Sequence, residues 1–485
     1  MTPKSGERIQ RHPGPRNAAG QTLESILQQL SPEQSRILQQ SKGHTQMIAA
    51  AGSGKTRTMI ALIEYLLCIQ PDLQNQLLML SFSRKAVAEL RHRLPAAIRS
   101  RVLIVTFHGF CYRLLVRALR PAGHKLLMIS EQDRDRWFET WLRQRSDQIG
   151  GIPFQLLYKD WPRFRLHFSD LAHACQQAFQ EYKQTHRLFE YEDLVQTVLA
   201  ALQAGDPAML SACRFACVMV DEFQDTDPAQ LEFLQLIQPG RLVVVGDDYQ
   251  AIYGFRGASV TPFLDFGRLF QPVERFYLTT NYRSQAAIVR LANRVIAWSG
   301  HQIKKKVRPV QHNGQRQPWA RPCRLSLARQ QERAFALELK TWQDQDWMLL
   351  VRSNYRRQIW LKAGLPSGHV MTIHKSKGLE FDLVLLDFID GWQTAHESAQ
   401  AAPNRHGFLD EEIRIQYVGI TRARLALGLL FDPETPARRI ERRYARQIYS
   451  SACASRTTRR WIAQIGSPER LRDRIHSSAD QHRAA

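Results

Sequence analysis

The sequence predicts an α/β fold: two mostly parallel sheets covered by helices, with a helical insertion interrupting the first. Three observations point there. Short apolar runs of buried-strand length recur along the chain and several lead into helical stretches, the alternation that builds a parallel sheet covered on both faces. That alternation breaks over residues 111–188 and resumes after Leu278. At 485 residues the chain also exceeds the about 250–300 residues at which one core stops growing, which leaves room for two or three domains.

Residues 1–20 are rich in Pro, Gly and Arg and read as a loose basic tail. The first α/β domain takes 21–110 and 189–275, with strands expected at 45–49 (TQMIA), 77–82 (LLMLSF), 102–107 (VLIVTF), 217–221 (CVMVD) and 242–246 (LVVVG). Residues 111–188 are rich in Trp, Arg and Gln, with helical periodicity and no clear strand, and read as a helical insertion. A second α/β domain takes 276–435, with strands at 347–352, 369–373, 383–389 and 427–431. The remaining 436–485, including Arg438, Arg439, Arg442, Arg443, Arg446, Arg456, Arg459 and Arg460, read as a basic helical tail. No internal repeat of solenoid period is visible.

Hydrophobic residues make up 44% of the chain and charged residues 23%, ordinary globular usage that indicates neither disorder nor a membrane protein. The balance of 67 Lys and Arg against 45 Asp and Glu leaves +22, which favours a polyanionic partner. Seven scattered cysteines without a C-x-x-C pair suit a reducing cytoplasm and supply neither a disulfide framework nor a metal site. The first residues contain no apolar core of signal-peptide length, and no stretch reaches the length of a membrane span, so a cytoplasmic location is expected.

The chemistry begins at Ala49-Ala50-Ala51-Gly52-Ser53-Gly54-Lys55-Thr56, between an apolar run and an amphipathic stretch carrying Met59, Ile60, Ile63, Leu66 and Leu67. This is the strand–loop–helix setting of a phosphate-binding loop. Backbone N–H groups cradle phosphates there, Lys55 can reach the outer phosphate oxygens, and the Thr56 hydroxyl can hold Mg²⁺. Further on, the apolar strand Val218-Met219-Val220 ends in Asp221 and Glu222, placed to bind Mg²⁺ and to orient or deprotonate an attacking water. Alone, the first motif fits a Gly-rich turn and the second a helix cap. Together and in this order they read as a hydrolytic ATP site with Mg²⁺.

The words around these motifs resemble those of UvrD-, Rep- and PcrA-type superfamily 1 helicases. Leu30-Ser31-Pro32-Glu33-Gln34 is similar to their Gln motif, and Asp221-Glu222-Phe223-Gln224-Asp225-Thr226 to their extended Walker B. The run Val245-Gly246-Asp247-Asp248-Tyr249-Gln250-Ala251-Ile252-Tyr253-Gly254-Phe255-Arg256-Gly257-Ala258 resembles motif III, and Asn281-Tyr282-Arg283-Ser284 motif IV. Thr372-Ile373-His374-Lys375-Ser376-Lys377-Gly378-Leu379-Glu380-Phe381 resembles motif V, and Gln416-Tyr417-Val418-Gly419-Ile420-Thr421-Arg422-Ala423 motif VI. The matches run in family order from about residue 30 to 425.

The resemblance implies two RecA-like motor domains and an ATP site spanning them. Gln34 would read the adenine, Tyr282 stack on it and Glu380 meet the ribose; Ala51, Gly52, Ser53, Gly54, Arg57 and Gly378 would line the nucleotide. Gln250 would sense the γ-phosphate, and Arg283 and Arg422 act as arginine fingers, so that hydrolysis depends on closure of the cleft. Phe82, His108, Tyr253, Phe255, Arg256 and His374 fall on DNA-side motifs, where stacking grips bases without reading them. Phe107 fits either a strand-end core residue or a DNA contact.

Three departures leave every ligand-bearing group in place: Phe255 where relatives carry Trp, Tyr249 where they carry Asp, and Ala50 where they carry Gly. Spacing departs further. The accessory domain called 2B precedes motif V in the family, whereas here Arg352-Ser353-Asn354 and Gly364-Leu365-Pro366 run almost directly into it, and the 1B-like insertion at 111–188 looks short. The expected activity is 3′-to-5′ translocation on single-stranded DNA with helicase action at single/double-strand junctions. Two alternatives stand beside it: a DNA-stimulated ATPase subunit working with a nuclease or repair factor, in repair or anti-phage defence, and a non-hydrolysing DNA-binding scaffold.

Overall fold

The computed structural model describes residues 22–73, 76–119, 125–145, 147–150, 164–165, 167–310, 319–322, 346–388 and 405–431. The tails expected at 1–20 and 436–485 lie outside them. In chain order the strands are β1 (His44–Ala49), β2 (Leu77–Ser81), β3 (Val102–Thr106), β4 (Leu127–Met128), β5 (Leu188–Phe189), β6 (Cys217–Val220), β7 (Leu242–Gly246), β8 (Val273–Leu278), β9 (Thr280–Asn281), β10 (Arg308–Pro309), β11 (Trp319–Pro322), β12 (Trp347–Val351), β13 (Val370–Thr372), β14 (Phe381–Phe388) and β15 (Ala423–Phe431).

Six strands form the first sheet in the order β3-β2-β6-β7-β1-β8, and the β2–β6, β6–β7, β7–β1 and β1–β8 pairings are parallel. Strands β2, β6 and β7 are buried along their whole length, as their continuous apolar runs require. Helix Lys55–Ile69 lays Met59, Ile63, Leu66 and Leu67 against Met47, Met79, Met219 and Val243. Strand β8 differs: Phe276 and Leu278 enter this core while Arg275 and Tyr277 face out, the alternation of an edge strand. The boundary expected at 275 therefore falls inside β8, and the first sheet continues to Leu278.

Helix Pro32–Gln40 starts with a capping box in which Ser31 and Gln34 satisfy each other's backbone N–H, with Pro32 in the first turn. Its Glu33 carboxylate accepts hydrogen bonds from Thr279 N (3.0 Å), Thr279 Oγ1 (2.8 Å) and Thr280 N (3.2 Å), fastening the helix to the chain leaving β8.

The second sheet, in the order β11-β15-β14-β12-β13, is parallel at every pairing. One core face gathers Leu350, Val384, Leu386 and Leu427 with Ile288, Leu291 and Val295 of helix Ala286–Ile296 and Ile415 and Val418 of helix Arg405–Ile420. The opposite face packs Trp347, Leu349, Leu385 and Leu430 against Trp360. Here Asp387 of β14 accepts hydrogen bonds from Arg356 Nε (2.8 Å) and Trp360 Nε1 (2.8 Å) of helix Asn354–Lys362.

Residues 105–215 and 229–239 form a separate compact unit, larger than the 111–188 insertion expected. Helix Phe107–Leu119 explains the extension, because Phe107 and Phe110 pack edge-on against Phe233, and Phe110 against Phe215. Among its described residues the insertion is mainly helical, as expected, with Glu131–Arg143 and Ser169–His186 meeting through Phe138, Trp141 and Phe179. It also holds a short parallel ladder, β4–β5, too brief for any periodicity to announce. Lys183 is buried there between Glu190 (2.8 Å) and Asp193 (2.8 Å).

Candidate nucleotide cleft and base-stacking surface

The loop after β1 turns through two left-handed glycines, Gly52 (φ 69°) and Gly54 (φ 84°), into helix Lys55–Ile69. Both positions need glycine for backbone angle, and Gly52 needs it for space as well. A Cβ on Gly52 would stand 2.7 Å from Arg283 Cβ, and one on Gly54 2.7 Å from Gln34 Nε2. The loop is held from outside: Asn281 Nδ2 donates to Ala51 O (2.7 Å), Tyr282 N to Gly52 O (2.9 Å), and Gln34 Nε2 reaches Ser53 O (3.5 Å). Ser53 Oγ is buried without a hydrogen-bond partner, an orphan that a phosphate oxygen would satisfy. Thr56 lies half-buried in the first helical turn, and Arg57, exposed, donates to Gln29 O.

Lys55 Nζ donates to both oxygens of Glu222, at 3.0 and 3.2 Å. Burial works against its charge, but Glu222, Asp247 and Asp221 outweigh that and raise its pKa. The two carboxylates at the end of β6 diverge: burial and the Glu222 charge push Asp221 up, whereas Lys55 and Lys377 overcome burial and hold Glu222 down. Glu222 sits at φ 54°, a backbone region uncommon outside glycine, held by Lys55 and by Gln224 Nε2 (2.5 Å).

Gln250, on the turn after β7, donates from Nε2 to Asp247 Oδ2 (2.6 Å) and accepts at Oε1 from Arg422 Nη2 (3.1 Å). Arg422 is buried, and it also donates to Val418 O (3.0 Å), to Thr421 Oγ1 (3.3 Å) and to Leu379 O (3.1 Å) beside the left-handed Gly378. Burial and the neighbouring Arg283 lower its pKa to about 9, so it stays charged at neutral pH. Arg283 pairs with Glu380 (2.6 Å) and donates to Thr421 O (3.2 Å). Two guanidiniums repelling each other beside a half-buried lysine and two left-handed glycines make a cradle for a polyphosphate. Asp221 and Thr56 supply the hard oxygen donors a Mg²⁺ ion takes. A nucleoside triphosphate with Mg²⁺ thus fits the orphaned Ser53 hydroxyl, the glycine cradle and the donor set.

A second surface begins three residues beyond Gln250. Tyr253 stacks on Phe82, ring centroids 5.1 Å apart at 18°, and meets Phe255 (6.1 Å) and His374 (6.3 Å). Phe255 stands edge-on to His374 at 5.3 Å. Phe82 is 39% exposed and Phe255 66%, so neither fills a core, whereas Phe107 is buried and does. Tyr282 beside the nucleotide loop is exposed too. The Arg256 side chain lies outside the described residues. His108 belongs to the separate unit, where its ring meets Phe107 and Tyr191 edge-on.

Several participants were not singled out by pattern. Lys377 bonds Asp225 and Gln250 O (2.7 Å) and lies 4.9 Å from the Tyr253 ring centre. Glu411 accepts from Gly254 N (3.0 Å), inside the stacking turn. Lys305 sits fully buried on Asp247 (3.0 Å) and Asp248. Within a Lys304-Lys305-Lys306 run it carries no local mark of burial.

Two family models match the chain: the UvrD/REP helicase N-terminal domain over residues 30–271 and the UvrD-like helicase C-terminal domain over 363–431. The chain is 28% identical to DNA helicase II of Escherichia coli over 373 residues, 70% of this chain and 51% of that protein. It is 29% identical to the ATP-dependent DNA helicase UvrD1 of Mycobacterium tuberculosis over 61% of this chain and 42% of that one. A probable DNA helicase of Mycoplasma pneumoniae is 27% identical over 83% of each chain. The chain spans about half the length of the DNA helicase II proteins it matches.

Proposed function

The chain belongs to the UvrD-type superfamily 1 DNA helicases, and from that premise we propose that it is an ATP-driven motor moving 3′ to 5′ along single-stranded DNA and opening duplex ahead of it. One observation carries the reading: a single short segment, Asp247 to Phe255, bears both the Gln250 that Arg422 contacts and the Tyr253 and Phe255 that form the stacking surface. A change at Gln250 would reach Tyr253 through three residues of covalent backbone rather than through a distant relay. The direction of travel rests on the family resemblance.

When bound, Mg-ATP supplies the phosphoanhydride bond whose hydrolysis drives the motor. Gly52, Ser53, Gly54 and Lys55 would bind its phosphates, with Thr56 and Asp221 holding the cation. Glu222 would orient and deprotonate the attacking water, while Gln250, Arg283 and Arg422 place donors where negative charge develops. Gln34, Tyr282 and Glu380 would hold the nucleoside. On the DNA side Phe82, Tyr253, Phe255 and His374 would grip successive bases by stacking.

A second reading, a DNA-stimulated ATPase that needs a protein partner to unwind, is favoured by the connection between β12 and β13. It holds only helix Asn354–Lys362 and a single short turn at Ser367–His369. The test measures ATP hydrolysis with and without single-stranded DNA, together with unwinding of duplexes bearing 3′ or 5′ tails, with Lys55→Ala as control. Stimulation with preferential opening of the 3′-tailed duplex is expected. Stimulation without unwinding selects the second reading, and hydrolysis unaffected by DNA overturns both.

A further inference from the structure

We propose that Lys305 is a positioning residue for ATP hydrolysis, acting through Asp247 to hold the Gln250 carboxamide in the orientation that faces Arg422. The proposal rests on the ATPase reading above.

The geometry is a buried line of complementary partners. Lys305 lies on the segment after helix Ala286–Ile296, which packs in the core of the second sheet, while Asp247 and Asp248 open the turn after β7 of the first. Its ammonium, with no solvent exposure, meets Asp247 Oδ1 at 3.0 Å and bonds Asp248 as well. Asp247 Oδ2 then accepts from Gln250 Nε2 (2.6 Å), and Gln250 Oε1 accepts from Arg422 Nη2 (3.1 Å). A carboxylate only accepts, so Asp247 draws the NH₂ end of Gln250 to itself and leaves the carbonyl end for the arginine. A flipped Gln250 would face donor to donor at Arg422 and acceptor to acceptor at Asp247.

Asp247 is buried beside a second carboxylate, Asp248. Lys305 is the cation that touches both, and Ile303 N (2.7 Å) from the same segment completes Asp248. Tyr249, the position at which the family carries Asp, is built into the arrangement. Its ring centre lies 3.4 Å from the Lys305 ammonium, its hydroxyl donates to Lys305 O (3.0 Å), and it accepts from Lys305 N (3.1 Å). The aromatic adds a cation–π contact and fixes the lysine's main chain. Lys305 thus reaches Gln250 through one intermediary, Asp247.

A cycle of four proteins, wild type, Lys305→Met, Gln250→Ala and the double variant, tests this by kcat and KM for ATP with saturating single-stranded DNA. Lys305→Met is expected to lower kcat about tenfold with KM for ATP nearly unchanged, and the double variant to match Gln250→Ala alone. Losses that multiply, or a Lys305→Met variant with wild-type kcat, overturn the proposal, since a lysine serving only stability would act independently of Gln250. Should Lys305→Met not fold, Tyr249→Phe takes its place in the cycle, because it preserves every charge and loosens the lysine's main chain. A smaller kcat loss that disappears in the Gln250→Ala background is expected, and a multiplying one overturns the proposal. Wild-type protein without DNA-stimulated hydrolysis would instead overturn the ATPase reading.

Discussion

Exposed aromatic residues are where residue-scale chemistry separates from stability in this chain. Phe255 is 66% exposed, yet it is ringed by Tyr253 and His374 rather than scattered on an open surface. Truncating it removes little buried area, so Phe255→Ala should leave the thermal midpoint near wild type. It should weaken single-stranded DNA binding by about 1–3 kcal/mol, one stacked base, to a similar degree for purine and pyrimidine oligonucleotides. Fluorescence anisotropy with labelled dT and dA oligomers measures this, and unchanged affinity for both would remove Phe255 from the DNA surface. Phe255 was legible because a motif names it, and Lys55, Asp221, Glu222 and Gln250 were legible for the same reason. Lys305 was not. Its partners lie 57 and 58 residues away in sequence, and a lysine flanked by two lysines reads as solvated until the fold buries it.

At the scale of elements, legibility followed apolar density. The runs at β1, β2, β6, β7, β12 and β14 are continuous because those strands are covered on both sides, and each appears within a residue or two of its expected span. β8 (VERFYL) escaped because an edge strand alternates instead, and β4, β5, β9 and β10 are two residues long. Helix Asn354–Lys362 shows what pattern cannot supply: weakly amphipathic, it is anchored by a buried Arg356–Asp387 pair and by Trp360 Nε1. Removing one partner strands the other charge. Asp387→Ala should destabilise the second α/β domain by about 3–5 kcal/mol, whereas Arg356→Met combined with Asp387→Leu should recover most of that loss. Hydrogen exchange of the β12 and β14 amides reads the effect locally. A double variant no better protected than Asp387→Ala would show that the pair acts through more than its charge.

Over the whole molecule the charge is uneven as well as large. The chain carries +22, and residues 436–485 alone hold twelve arginines against four acidic residues. The stacking surface and the basic excess predict different dependences on solution conditions, because stacking is insensitive to salt while phosphate contacts release counterions. If the excess serves DNA, log Kd plotted against log[KCl] should rise steeply for single-stranded oligomers, each phosphate neutralised adding about 0.7 to the slope. Deleting 436–485 should flatten that slope and leave the Phe255→Ala penalty unchanged, since the two terms are physically separate. A full-length slope near zero would mean that the positive charge answers to something other than nucleic acid, and that the DNA grip comes from the aromatic surface alone.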